Sequence, residues 1–277
     1  MKARTKDRLK KIIPHPLWKL MVGTLRKFIW IRYKIAALRY GREMSMYCPC
    51  CRTRLHTFVQ GDYLERPKFY DVKLFEGVRQ DILCPVCGAL PRHRILADYL
   101  NKNMDIISGK NVLYFAPERS MKSWLRKKHV KFTTADLNDP DAQLKLDIQA
   151  TGLPASSYDI VIANHVLEHV GDYKLALAEI RRILRPDGIL LCSFPISMDV
   201  ELVDEDPRVV TGDHRLRRFG QSDHVRLFGR DAGKLIEEAG YEVRTIEGCR
   251  APSEILPVTG PSRYDVDRIF QCRSWKA

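Results

Sequence analysis

The run Tyr158-Asp-Ile-Val-Ile-Ala-Asn-His-Val-Leu-Glu-His-Val170 constrains the fold of this chain more than any other segment. Ile160 to Ala163 has the length and β-branching of a strand buried on both faces. It ends in Asn164 and His165, polar groups at the point where an open α/β sheet binds ligands. Lys174 to Leu184 is apolar at Leu175, Leu177, Ile180 and Leu184, which predicts a helix. Pro186-Asp-Gly188 then predicts a break before a second buried strand, Ile189 to Phe194.

Other segments fall into the same alternation. Pro91 to Leu100 predicts a helix with Arg92, His93 and Arg94 near its start. Asn111 to Glu118 predicts a strand and its loop, Lys131 to Asp136 a second strand, and Leu144 to Ile148 a third. Arg230 to Ala239 predicts a helix capped by Gly240. Tyr241–Ile246 and Arg268–Arg273 predict the last two strands. Between Met198 and Phe228 runs a long polar connection, and connections of that length usually carry function. Its apolar Val225, Leu227 and Phe228 predict an ordered loop rather than a free one.

Five of the eight cysteines lie between residues 48 and 87. Cys48-Pro-Cys50-Cys51 and Cys84-Pro-Val-Cys87-Gly88 each supply a Cys-x-x-Cys pair, 32 residues apart. Two such pairs suit a tetrahedral thiolate site, because each tight turn aims two sulfurs at one point. Cys48, Cys51, Cys84 and Cys87 are the expected ligands of a closed, structural zinc, with Cys50 an alternative member and iron the competing metal. Tyr70 to Phe75 is expected to supply strands of the ribbon. Cys192, Cys249 and Cys272 read as buried thiols.

The net charge of +13 is concentrated at one end. Residues 1–43 hold 13 Lys or Arg against 2 Asp or Glu, so the rest of the chain is nearly neutral. The overall charge is therefore no argument for nucleic-acid binding by the body of the protein. Leu17 to Tyr40 is rich in aliphatic and aromatic residues but carries Lys19, Arg26, Lys27, Arg32, Lys34 and Arg39. Six charges in that span argue against a transmembrane helix, and no small-residue cleavage site follows an apolar core. A basic helix with Trp18, Phe28, Trp30 and Tyr33 suits an anionic membrane surface. Docking on the protein itself is the competing reading, and RNA phosphates a third.

The order of elements around Tyr158–Val170 closely resembles class I S-adenosylmethionine-dependent methyltransferases, in particular the broad type 11 group. Cys-Pro-Val-Cys-Gly, Arg-His-Arg, Phe-Ala-Pro-Glu and Asp-His-Val-Arg narrow the likeness. With them the chain is similar to bacterial members that carry a cysteine-rich segment and are associated with surface-glycan synthesis. The resemblance implies an α/β, Rossmann-like fold with a seven-stranded sheet over residues 90–277. A zinc-ribbon-like segment over 47–89 and a basic leader over 1–46 precede it.

The resemblance also places a cofactor, S-adenosylmethionine. Its methionine end is expected against Phe115, Ala116, Pro117 and Glu118, where Tyr114 and the Ala-Pro-Glu run depart from the usual acidic residue and glycine loop. Asp136, with Leu137, is expected on the ribose diol, 21 positions after Phe115. Asp147 and Ile148 are expected at the adenine, and Asn164 and His165 between cofactor and acceptor. His165 and His224 are the candidate general bases, because histidine titrates near neutral pH. His93 and Arg226 are candidate acceptor contacts, and Glu118 is expected to face the cofactor ammonium.

The leading expectation is O-methylation of a sugar, glycan or lipid-linked acceptor by a cytoplasmic enzyme peripheral on the inner membrane face. A small-molecule acceptor belongs to the same expectation. The alternatives are a ribosomal or transfer RNA methyltransferase and a non-catalytic zinc-ribbon scaffold with a degenerate fold. The chain has no Asn-Pro-Pro-Phe/Tyr signature, which argues against exocyclic adenine methylation.

Overall fold

The structure is a computed structural model that describes residues 44–59, 82–256 and 267–274, together with Leu17, Met21, Thr24, Phe28, Ile31 and Ile35 of the leader. Two short strands, β1 (Met46–Cys48) and β2 (Thr53–Leu55), form an antiparallel hairpin around the first cysteine knuckle. An antiparallel bridge between Val59 and Leu83 joins it to the second knuckle. The expected strand Tyr70–Phe75 lies outside the described residues.

Helix α1 (Pro91–Lys102) follows, with Pro91 at its first position, where a missing amide costs nothing. Then come β3 (Val112–Phe115), α2 (Arg119–Lys127), β4 (Phe132–Asp136), β5 (Leu144–Lys145) and β6 (Tyr158–Asn164). The next elements are α3 (Tyr173–Ile183), β7 (Leu184–Ser193), β8 (Asp204–Glu205), α4 (Gly212–Phe219) and β9 (Arg226–Leu227). The described chain ends with α5 (Ala232–Glu238), β10 (Tyr241–Glu247) and β11 (Arg268–Ser274).

Seven strands form the central sheet in the order β10-β11-β7-β6-β3-β4-β5. The five strands from β7 to β5 run parallel, and β11 is inserted antiparallel between β7 and β10. The chain builds outward from β3 through β4 to β5, then returns to place β6 on the other side of β3. This reversal opens a crevice at the C-terminal ends of β3 and β6, the place where open α/β sheets bind ligands. The buried run of β6 packs Ile160 and Ile162 into one face and Val161 and Ala163 into the other, as period-two alternation requires.

One sequence expectation needs correction. Pro186–Gly188 does not end the strand: β7 runs from Leu184 to Ser193 and bulges there. Its partner β6 advances from Tyr158 to Ile160 while β7 advances from Leu184 to Ile189. The extra residues project into solvent, Asp187 takes a left-handed φ of 64°, and pairing resumes beyond them.

The two cysteine knuckles are not an independent bead. Cys48, Leu55, Phe58 and Cys84 share one buried cluster with Leu96 and Leu100 of α1 and Val112, Ile160 and Ile269 of the sheet. Arg94, 1% exposed, ties this union together. It donates to the carbonyls of Ile82, Ala89 and Ile255, and its guanidinium lies 3.8 Å over the Phe58 ring. Cys192 and Cys272 are buried in the other face, as expected of core thiols.

Candidate active site

The crevice holds a cavity of about 460 Å³. Its walls come from the start of α1, the loop after β3, the end of β6 and the segment from α4 to His224. The loop after β3 turns at Ala116, whose φ of 44° is left-handed although it has a Cβ. Ala116 thus adopts the turn that glycine makes in the usual loop, which is the observation that fits a cofactor's methionine end here.

Glu118 sits at that turn between two side chains of α1, Arg92 and His93. Arg92 donates from Nη2 to Glu118 Oε1 at 2.6 Å, and His93 Nε2 lies 2.5 Å from Glu118 Oε2. The Leu90 amide donates to His93 Nδ1 at 3.0 Å, which assigns the imidazole proton to Nε2, facing the carboxylate. Burial opposes ionisation of Glu118, but Arg92 and His93 outweigh it and hold the carboxyl well below the usual range. Burial pushes the His93 imidazole below its ordinary value against the pull of Glu118, so a neutral His93 faces an ionised carboxylate. Glu118 lines the cavity with both oxygens engaged by α1.

His165 follows β6 in a left-handed conformation, φ 52°, and its amide donates to Ser193 O at 2.7 Å. That turn aims the side chain back toward Glu168, three residues on, with Nδ1 3.1 Å from Oε1. Glu168 is 1% exposed, and the imidazoles of His165, His169 and His224 offset the burial that opposes its charge. The carboxylate favours a proton on His165 Nδ1 and so leaves Nε2 as the basic nitrogen. Asn164, equally buried, accepts from Ser193 Oγ at 3.1 Å. His224 lines the same cavity, with Nδ1 3.1 Å from Phe219 O, and burial lowers its affinity for a proton.

The remaining expected cofactor residues lie along the same edge of the sheet but outside this cavity. Asp136 ends β4, and its Oδ1 accepts from the amides of Asn138 at 2.7 Å and Asp139 at 2.8 Å. Asp147 follows β5 and accepts from Gln149. Ile148 and Phe115 are buried, and Leu137 is exposed. The two carboxylates thus sit beyond the C-terminal ends of adjacent strands, beside the Ala116 turn.

Arg226 is placed differently from the sequence expectation. It does not line the cavity and is 2% exposed. It donates to the carbonyls of Leu167, Val170 and Gly171 and to Glu205, so four of its N–H groups are already engaged. Arg226 therefore clamps the turn after β6 onto β8 and β9 and has no donor fork left for an acceptor. Arg226→Ala is expected to cost about 3–5 kcal/mol of stability by stranding these groups. A urea denaturation midpoint reads the loss.

Residue-level reasoning left Glu168 without a role. The signal was present as the three-residue spacing from His165 to Glu168, which faces the two groups only if the intervening turn is tight.

The four expected thiols do meet. Cys48 Sγ is 3.7 Å from Cys87 Sγ, and Cys51 Sγ is 3.8 Å from Cys84 Sγ. Sulfurs bound at about 2.3 Å to one tetrahedral ion stand about 3.8 Å apart, so this donor set fits a metal. Cys50 turns away and donates to His93 O at 3.3 Å, which excludes it from the set in this arrangement.

Residues 98–192 match the family described as a methyltransferase domain. About a third of the chain is thus similar to a methyltransferase domain. Among curated proteins it is similar to the reducing polyketide synthase Preu2 of Preussia isomera, 39% identical over 62 residues, 22% of this chain and 2% of that one. It is also similar to an uncharacterized 37.1 kDa protein in transposon TN4556 of Streptomyces fradiae, 32% identical over 110 residues, 39% of this chain and 32% of that one. The chain therefore spans well under two thirds of these relatives. A solved structure with likeness is the 1,6-didemethyltoxoflavin-N1-methyltransferase of Burkholderia thailandensis. It is 14% identical, covers 66% of this chain and 77% of that one, and has a TM-score of 0.42.

Proposed function

We propose that the protein transfers the methyl group of S-adenosylmethionine to a hydroxyl oxygen of a sugar, glycan or lipid-linked acceptor. The observation that carries this reading is the His165–Glu168 pair in the wall of the crevice at the sheet's reversal point. When bound, the cofactor supplies an electrophilic methyl on a sulfonium. Ala116, Pro117 and Glu118 hold its methionine end, Asp136 the ribose, and Asp147 with Ile148 the adenine. Asn164 and His165 face the acceptor. His165 Nε2 would take the proton of the acceptor hydroxyl as that oxygen is methylated. Holding donor and acceptor in line supplies much of the acceleration. His93, 3% exposed and outside the cavity wall, touches no acceptor and acts only by holding Glu118.

The name of one relative, a reducing polyketide synthase, supports a small molecule as the second acceptor class. Residues 47–89 are assigned as a ribbon whose four cysteines hold a structural zinc. Calorimetric titration with S-adenosylhomocysteine tests the cofactor reading. Asp136→Ala removes up to two charge-assisted bonds, so binding should weaken about 30- to 150-fold, or about 2–3 kcal/mol. A folded, metal-loaded protein that binds no S-adenosylhomocysteine would favour the scaffold reading instead.

Peripheral attachment to an anionic membrane belongs to the same proposal. Leu17, Met21, Thr24, Phe28, Ile31 and Ile35 are helical and exposed, and their steps of four and three residues place them on one helix face. The exposure of Leu17 at 58% and Ile35 at 56% supports an outside partner for this face. Among the described residues no helix is long and apolar enough to cross a membrane. Removal of residues 1–43 is expected to abolish sedimentation with anionic liposomes while leaving S-adenosylhomocysteine binding unchanged.

A further inference from the structure

Glu168, His169 and His224 converge on the pocket side facing α4. One ligand-type atom from each lies within 4.8 Å of the others, and all three line the cavity. The histidines come from segments far apart in sequence, held together by the Val225 amide donating to Glu168 O at 2.9 Å. Their rings meet edge to face with centroids 4.8 Å apart.

The orientation of each ring is informative. His224 Nδ1 is 3.1 Å from the Phe219 carbonyl, and His169 Nδ1 is 3.3 Å from the Asp223 carbonyl and 3.4 Å from the Asp223 carboxylate. A carbonyl can only accept, so each Nδ1 carries the proton and each Nε2 presents a lone pair. Metal-binding histidines are held in this way, by a carbonyl or carboxylate on the far nitrogen. His169 Nε2 faces Glu168, 3.9 Å from Oε1.

Glu168 supplies the independent observation. Its Oε2 is buried and receives no hydrogen bond. Among the described residues its ion-pair partners are imidazoles, with no lysine or arginine. A buried carboxylate so placed lacks a permanent countercharge, and burying one uncompensated is expensive. A divalent cation would supply it. The side chain of His169 is 34% exposed and gives the ion a way in.

We propose that Glu168, His169 and His224 form a second metal site, for a divalent cation that prefers nitrogen and oxygen ligands, in the wall of the acceptor pocket. Two imidazoles and one carboxylate suit manganese, iron(II), cobalt or zinc, and distinguish this site from the soft thiolate set. Ligands at about 2.1 Å from one ion stand about 3.0–3.5 Å apart, so the widest pair closes by up to about 1.5 Å on binding. Three protein ligands leave coordination positions open toward the cavity, as at metal sites that hold substrate. The ion would anchor an acceptor oxygen beside the reacting hydroxyl, which selects acceptors with two neighbouring oxygens. This last role rests on the methyl-transfer reading, whereas occupancy of the site does not.

Cobalt(II) added to the full-length, zinc-loaded chain tests the site. The expected result is a single tight equivalent with a weak visible band and no thiolate charge-transfer band. His169→Ala, at a partly exposed position, should weaken binding about 10-fold or more, and Glu168→Gln likewise. No cobalt uptake by a protein that keeps its zinc, or uptake equally tight in His169→Ala, overturns the proposal. S-adenosylhomocysteine titration of the same samples separates the two readings. Cofactor binding without cobalt uptake sinks the metal site alone, and cobalt uptake without cofactor binding sinks the methyl-transfer reading alone.

Discussion

Cys84→Ser is expected to release the ribbon metal and to unfold more than the ribbon. A structural zinc held by four cysteines contributes on the order of 10 kcal/mol to folding, comparable with the whole stability of a domain. Here the loss would not stay local. Phe58 and Leu55 pack into the cluster that includes Val112 and Ile160, and Arg94 joins both cysteine segments to α1. The start of α1 also carries Arg92 and His93, which fix Glu118 at the pocket. Thermal unfolding should therefore show one transition that moves down for the whole chain, together with loss of S-adenosylhomocysteine binding. Chelation by EDTA should reproduce both effects. A ribbon that melts alone, with cofactor binding intact, would refute the coupling.

His165→Gln is expected to lower kcat about 100- to 10,000-fold on any hydroxyl acceptor, the usual contribution of a positioned base. Cofactor affinity should change far less, because the imidazole acts on the acceptor proton. Glu168→Gln should also lower kcat, since the amide no longer favours a proton on Nδ1. Single-turnover measurements of methyl transfer distinguish the chemical step from product release. Equal rates for wild type and His165→Gln at saturating acceptor would remove His165 from the mechanism.

The sheet was legible because its signals are local. The β-branched run of β6 and the closing pair β10–β11 follow from residues that sit next to one another in sequence. The cysteine pairs were legible for the same reason, and all four named thiols converge. What sequence missed depends on partners far away in the chain. Arg226 looked like a free guanidinium until the carbonyls of Leu167, Val170 and Gly171, more than fifty residues earlier, were placed around it. Pro186–Gly188 looked like a strand break because turn residues dominate locally. Pairing with β6 on either side of the bulge overrides that preference. The fusion of the ribbon with the main core likewise depends on Phe58 meeting Arg94, a contact that no spacing rule reports.

The segment from Met198 to Phe228 has a small core of its own. Phe219 and Leu227 pack with Val200 and Val209 apart from the two large clusters. It is tied to the sheet side by Ser197 N to Phe228 O at 2.9 Å, Arg230 N to Val200 O at 2.9 Å, Val225 N to Glu168 O at 2.9 Å and the bonds of Arg226 to Leu167, Val170 and Gly171. Gly229 lies at this seam, where an added Cβ would meet Val200 O at 2.7 Å and Leu202 O at 2.8 Å. The pocket wall around Leu216 and Gly220 to His224 thus rests on an interior of its own, so a substitution at Phe219 or Val209 reshapes the cleft while leaving the packing of the sheet intact.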